Sequence, residues 1–140
     1  MKLKTYTDGG ARGNPGPAAI GVLICNDQGE ILLEHSETIG EATNNVAEYK
    51  ALIEGMRQAK ELKAKELDCY LDSELVVKQL RGEYKLKHYN MQRLFDEVRK
   101  MERHFQAVSY THLRREEDEM RRADQLVNFA LDEAVRKTRR

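Results

Sequence analysis

The chain has 140 residues, 40% hydrophobic and 34% charged, with 24 basic and 24 acidic side chains. That length and mixture exclude a disordered chain and predict one folded domain over residues 1–140, while zero net charge removes any global pull toward nucleic acid. No run approaches the roughly 18 apolar residues of a membrane span, and Met1-Lys2-Leu3-Lys4 lacks an apolar leader, so the expected compartment is the cytoplasm.

Residues 1–8 alternate and run into Asp8-Gly9-Gly10, which predicts a strand closed by a turn. Residues 11–17 read as a loop, 18–25 as a second strand, Asn26-Asp27-Gln28-Gly29 as a hairpin turn, and 30–39 as the return strand. From residue 44 to about 63 the period becomes helical, with Tyr49, Leu52, Ile53, Met56 and Ala59 on one face. A short strand follows over 66–71, with Leu67, Cys69 and Leu71 on one side. Residues 73–81 predict a helix stopped by Gly82, and 90–105 another. The fifth strand is 107–112, and after a charged loop the last helix runs from 119 to about 137. The order β-β-β-α-β-α-α-β-α predicts an α/β fold. Its five-stranded mixed sheet has an antiparallel meander, then parallel strands, and helices on its faces.

Cys25 and Cys69 sit in apolar runs without cysteine or histidine at ligand spacing, so both are expected as reduced core residues. Basic residues gather in 78–87 and 136–140, which is compatible with a solvated helix face, a tail or a phosphate-binding patch.

Four acids stand out, and each has a local explanation. Asp8 can form a turn with its glycines, Glu48 can close a capping box with Asn45, Asp72 can cap a helix, and Asp124 can be a solvated helix charge. Their joint geometry says more. If strands 1 and 4 are parallel neighbours, Asp8 and Asp72 project from the same carboxyl edge, where open α/β sheets place their sites. Glu48 shares a helix side with Leu52, Gly55 and Ala59, and a carboxylate there is costly unless paired or metal-bound. Converging carboxylates without basic partners repel one another, and a divalent cation relieves that repulsion. Mg²⁺ suits such all-oxygen sites. Two ions about 4 Å apart can activate water and stabilise a leaving oxygen of a phosphodiester. No zinc spacing, P-loop or GxSxG elbow competes.

The stretches Tyr6-Thr7-Asp8-Gly9-Gly10-Ala11-Arg12-Gly13-Asn14-Pro15-Gly16, Thr43-Asn44-Asn45-Val46-Ala47-Glu48-Tyr49, Asp72-Ser73-Glu74-Leu75 and Ala123-Asp124-Gln125-Leu126 together resemble the type 1 ribonuclease H family. The resemblance spans nearly the whole chain, in the form without the long basic protrusion. It implies a ribonuclease H-like fold and an endonuclease that cuts the RNA strand of RNA–DNA hybrids, largely regardless of sequence, leaving 5′-phosphates. It implies two Mg²⁺ ions per site, with Mn²⁺ able to substitute, held by Asp8, Glu48, Asp72 and Asp124. It places His112 as the residue assisting proton transfer or product release. Asn14 and Thr43 match positions gripping a DNA-strand phosphate. Gly9, Asn44 and Asn45 match positions near the nucleic-acid backbone, and Glu74 one near the minor groove. The expected partner is an RNA–DNA hybrid, the expected state a monomer with no membrane and no obligate protein partner.

The sequence departs from that pattern in three ways. There is no tryptophan, and residues 82–93 offer only Lys85, Lys87, His88 and Arg93 with Tyr84 and Tyr89 interleaved, so Tyr84 and the 85–87 segment are the candidates for the DNA strand. The proline and asparagine usual after the histidine are missing. That loop is about two residues longer, which leaves Asp118 as a rival ligand. Two other functions stay open at this stage: a non-catalytic duplex-binding module, and a related nuclease preferring double-stranded RNA.

Overall fold

The computed structural model describes residues 1–86 and 89–138, without the side chains of residues 89 and 90. Lys87, Arg139 and Arg140, which belong to the two basic clusters of the sequence, and His88 lie outside the described residues. The elements are β1 (Lys2–Ala11), β2 (Gly16–Asn26), β3 (Ile31–Ala42), α1 (Asn44–Glu61), β4 (Glu66–Leu71), α2 (Glu74–Leu80), α3 (Tyr89–Glu102), β5 (Ala107–His112) and α4 (Asp118–Thr138). The sheet order is β3-β2-β1-β4-β5. β1, β2 and β3 pair antiparallel, and β4 runs parallel to both β1 and β5, as the element order implies.

Alternation sorts the sheet residues to its two faces. Leu3, Val22, Ile24, Cys69 and Leu71 pack with Tyr49, Leu52 and Met56 of α1, and with Val76, Val77 and Leu80 of α2. The intervening residues Tyr6, Leu23 and Cys25 meet Met120 and Ala123 of α4 on the other face, and Ala19 meets Val127, Ala130 and Leu131. Both cysteines are free and buried, in line with the core reading. The hairpin after β2 closes with Gly29 donating to the Asn26 carbonyl at 3.0 Å.

One boundary differs in a way that matters. Asp8-Gly9-Gly10 does not end β1. The strand runs on, with Gly9 opposite Ile20 and Gly10 opposite Ala19. The glycine there serves packing, not a turn. A Cβ on Gly9 would lie 2.1 Å from the Ala47 carbonyl oxygen, and one on Gly21 would lie 2.3 Å from that of Ala123. Bare backbone at these two positions lets α1 press on one face and α4 on the other, right beside Asp8, whose register partner is Gly21.

Candidate carboxylate active site

Parallel pairing of β1 and β4 puts Tyr6 opposite Tyr70 and Thr7 opposite Leu71. Asp8 and Asp72 are the next residues along the two strands, so both emerge at the same edge. The two tyrosine rings stack at 4.9 Å just below them. Glu48 enters from the first turns of α1 and accepts a 2.6 Å hydrogen bond from the Gly9 N–H. Asp124 enters from α4. All four line one cleft of about 460 Å³, with Asn44, Asn45, Ser73, Arg115 and Asn128 among its other walls.

The local explanations for two of these acids fall away. Asn45 and Glu48 do not form a capping box, because the N-cap of α1 is Thr43, whose hydroxyl accepts from the Val46 N–H. Asp72 does not cap α2, because Ser73 does, accepting from Val76. Capping is thus done by the neighbours, and both carboxylates are left to the cleft.

Burial divides the four acids into an inner and an outer pair. Asp8 is 2% exposed and Glu48 6%. Asp8 Oδ1 and Glu48 Oε2 are buried with no hydrogen-bond partner. Charge held in that way is expensive, so both groups are pushed toward the neutral form. Burial raises Asp8 most, to about 7, with the nearby Asp124 adding to the rise. A proton held on the neighbouring Glu48 and the charge of Arg115 oppose it. Glu48 is raised well above its ordinary 4.5, by burial first and then by Asp8, against the pull of the Gly9 N–H.

The outer pair has a partner that the sequence reading did not foresee. Arg115 Nη2 lies 3.0 Å from Asp72 Oδ2, and its Nε 3.6 Å from Asp124 Oδ1. The expectation of acids converging without a base is therefore corrected, because the loop before α4 supplies one. Asn128, one turn beyond Asp124, also points its amide at that carboxylate at 3.4 Å. The only sequence signal for Arg115 was the Arg114-Arg115 pair in a loop of unusual length.

Among the described residues no three histidine, cysteine or acidic side chains stand close enough to form a ready metal cage. The donor set nonetheless fits Mg²⁺. It is all oxygen, and two of its oxygens are buried and unpartnered, which is the situation a hard cation resolves.

Asp118, the rival ligand, is not among the residues lining the cleft. It begins α4 at 91% exposure, 3.7 Å from Arg121. His112 ends β5 opposite Leu71 and is not among the cleft's lining residues. Glu74, at the start of α2, is exposed and paired with Lys78 at 2.9 Å.

Asn14 and Asn44 knit the loop after β1 to the start of α1. Asn14 Oδ1 accepts from the Asn44 N–H at 3.0 Å, and Asn44 Oδ1 accepts from the Ala11 N–H at 2.9 Å. With each amide oxygen committed, the NH₂ groups are the ends left to meet an anion. Gly9 lines the cleft, but its N–H is taken by Glu48. Asn45 is shared with an adjoining pocket lined by Leu75, Gln79, Tyr84 and Lys85. There Tyr84 is half exposed and stacks under Lys78, whose ammonium lies 5.0 Å from the ring centre.

A family model described as reverse transcriptase-like matches residues 6–130. A bifunctional protein of Mycobacterium tuberculosis is 40% identical over 136 residues, covering 96% of this chain and 37% of its own. This chain therefore spans little more than a third of that relative. Ribonuclease HI of Halobacterium salinarum is 41% identical over 133 residues, 95% of this chain and 66% of its own. The crystal structure of LC11 RNase H1 in complex with an RNA/DNA hybrid superposes with a TM-score of 0.89 at 41% identity, covering 95% of this chain and 99% of that one.

Proposed function

Because the chain belongs to the ribonuclease H-like family, we propose that it is an endonuclease hydrolysing the RNA strand of RNA–DNA hybrids. The observation that carries this reading is the inner pair Asp8 and Glu48, each with a buried oxygen lacking a partner, in one cleft with Asp72 and Asp124. A structural protein gains nothing from such a pair. It becomes favourable when divalent cations and phosphate oxygens complete it.

In this reading Asp8, Glu48, Asp72 and Asp124 hold two Mg²⁺ ions, for which Mn²⁺ can substitute. Bound there, such ions would supply activation of a water and charge stabilisation at the leaving oxygen, and the product would carry a 5′-phosphate. The chain's own groups do the positioning. Glu48 is fixed by the Gly9 N–H, so it presents its free oxygen inward. The amides of Asn14, Asn44 and Asn45, with the Thr43 hydroxyl, grip phosphate and sugar along the backbone. Such contacts carry no base identity, so cleavage is broadly independent of sequence. Gly9 lines the cleft beside them, and Glu74 is the candidate for contact near the minor groove. Tyr84, with Lys78 and Lys85, forms the platform for the DNA strand, a base-stacking surface beside cationic groups. His112, at the end of β5, is the candidate for assisting proton transfer or product release. We expect the domain formed by this chain to act as a monomer in the cytoplasm. No described helix is long and apolar enough to cross a membrane.

The test uses an end-labelled hybrid, duplex RNA and duplex DNA, incubated with Mg²⁺, Mn²⁺ or EDTA. The RNA strand of the hybrid should be cut with either metal and survive in EDTA, and Asp72→Asn should abolish cutting. Survival of the hybrid under every condition would overturn the assignment. Cutting of duplex RNA in preference to hybrid would move the substrate class.

A further inference from the structure

We propose that Arg115 is a resident counter-ion of the carboxylate cleft, which bridges Asp72 and Asp124 and is displaced when divalent metal enters. The proposal rests on the reading of the cleft as a metal site and adds a residue which competes for that site.

Three observations support it. First, the contact joins two elements. Asp72 follows β4 and Asp124 lies in α4, so the guanidinium is the charge that spans the cleft mouth. Second, it is selective. Arg115 reaches the outer, partly exposed carboxylates, at 22% and 27% side-chain exposure. The inner oxygens of Asp8 and Glu48 stay unpartnered. One positive charge therefore covers the rim of a four-carboxylate cluster and leaves its centre open. Third, Arg115 is free to leave. Its side chain is 58% exposed, on the loop between β5 and α4, and its only ion pairs among the described residues are these two carboxylates.

A guanidinium and a metal ion draw on the same carboxylate lone pairs and the same negative field. Both cannot be held there at full strength. The empty cleft is thus stabilised by Arg115, and the metal-loaded cleft is opposed by it. Because the arginine is more than half exposed, solvent screens the effect to that of a surface pair, roughly fivefold in a binding constant.

The test is calorimetric titration of the full chain with Mg²⁺ alone, and again with Ca²⁺, at low salt and without nucleic acid. It compares wild type, Arg115→Met, Arg115→Lys and Arg114→Met. Thermal melts in EDTA accompany each titration. Arg115→Met should bind Mg²⁺ about fivefold tighter than wild type and melt lower in EDTA. Arg115→Lys should fall between them. Arg114→Met, which removes the neighbouring exposed charge, should stay within about twofold of wild type. A merely structural arginine would lower melting temperature without tightening metal binding. Equal or weaker Mg²⁺ binding by folded Arg115→Met overturns the counter-ion proposal and leaves the nuclease reading standing. Failure of wild type and variants alike to bind either ion overturns the metal-site reading itself.

Discussion

Replacing Asp8 by asparagine should make the metal-free protein more stable at pH 8 while leaving it inactive. A carboxyl held at about 7 in place of its ordinary 3.8 keeps its proton in the folded chain after the unfolded chain has released it. The stabilisation from that proton is complete below about pH 4 and is lost as pH rises through about 7. Glu48 is raised too and adds loss of the same sign. At pH 8 the folded chain therefore carries Asp8 ionised against its burial. The difference between 3.8 and about 7 corresponds to roughly 4 kcal/mol for Asp8 alone. Asparagine removes that penalty and brings an NH₂ donor beside the unpartnered Glu48 oxygen, but Arg115 loses a neighbouring anion. The net expectation is a gain of about 2 kcal/mol at pH 8, shrinking to near zero at pH 5, where Asp8 is already protonated. Urea unfolding in EDTA at the two pH values measures it. Mg²⁺ at a hundred times its dissociation constant should then restore the advantage to wild type, by up to about 2.7 kcal/mol. An Asp8→Asn protein that is equally or less stable than wild type at pH 8 in EDTA would refute the account of an uncompensated inner pair.

Other expectations follow from the same geometry. Gly21→Ala puts a Cβ about 2.3 Å from the Ala123 carbonyl oxygen and 2.9 Å from Leu126 Cβ. It should cost roughly 1–3 kcal/mol in urea melts and lower hydrolysis by displacing Asp124 with α4, whereas an unchanged unfolding midpoint would show that α4 does not need the bare backbone. Asp124→Asn should reduce hydrolysis by a hundredfold or more, about 3 kcal/mol of lost charge stabilisation. Asp118→Asn should leave it intact, since that side chain is in solvent, and the reverse ranking in a single-turnover assay would reassign the fourth ligand. Tyr84→Ala should raise KM for hybrid by roughly 5- to 20-fold with kcat unchanged, the loss of one stacked base; a fall in kcat alone would place the ring outside the binding platform.

What the sequence disclosed, and what it hid, divides along a physical line. β4 was legible to the residue, because one face is buried and a one-residue slip would invert Leu67, Cys69 and Leu71, whereas β5 buries only Tyr110 and takes its register from its pairing with β4. Cap positions were legible only as a neighbourhood. Thr43, Asn44 and Asn45 can all cap a helix, and the path of the backbone decides that Thr43 does. Arg115 was hidden altogether, since a loop arginine acquires a role only through groups far from it in the chain.

The four acids were legible as residues, but the reason they meet was not. Asp8 stands between two glycines in space: Gly9 follows it in the chain, and Gly21 faces it across the ladder. The first leaves room for the backbone at Ala47 and so brings in Glu48. The second leaves room for the backbone at Ala123 and so brings in Asp124. Two helices on opposite faces of the sheet thus reach the same aspartate, each across a position where a side chain would stand in the way. A reading of Gly9-Gly10 as a turn assigned this backbone to chain reversal. Its use is close approach, and without that approach the carboxylates would belong to separate surfaces.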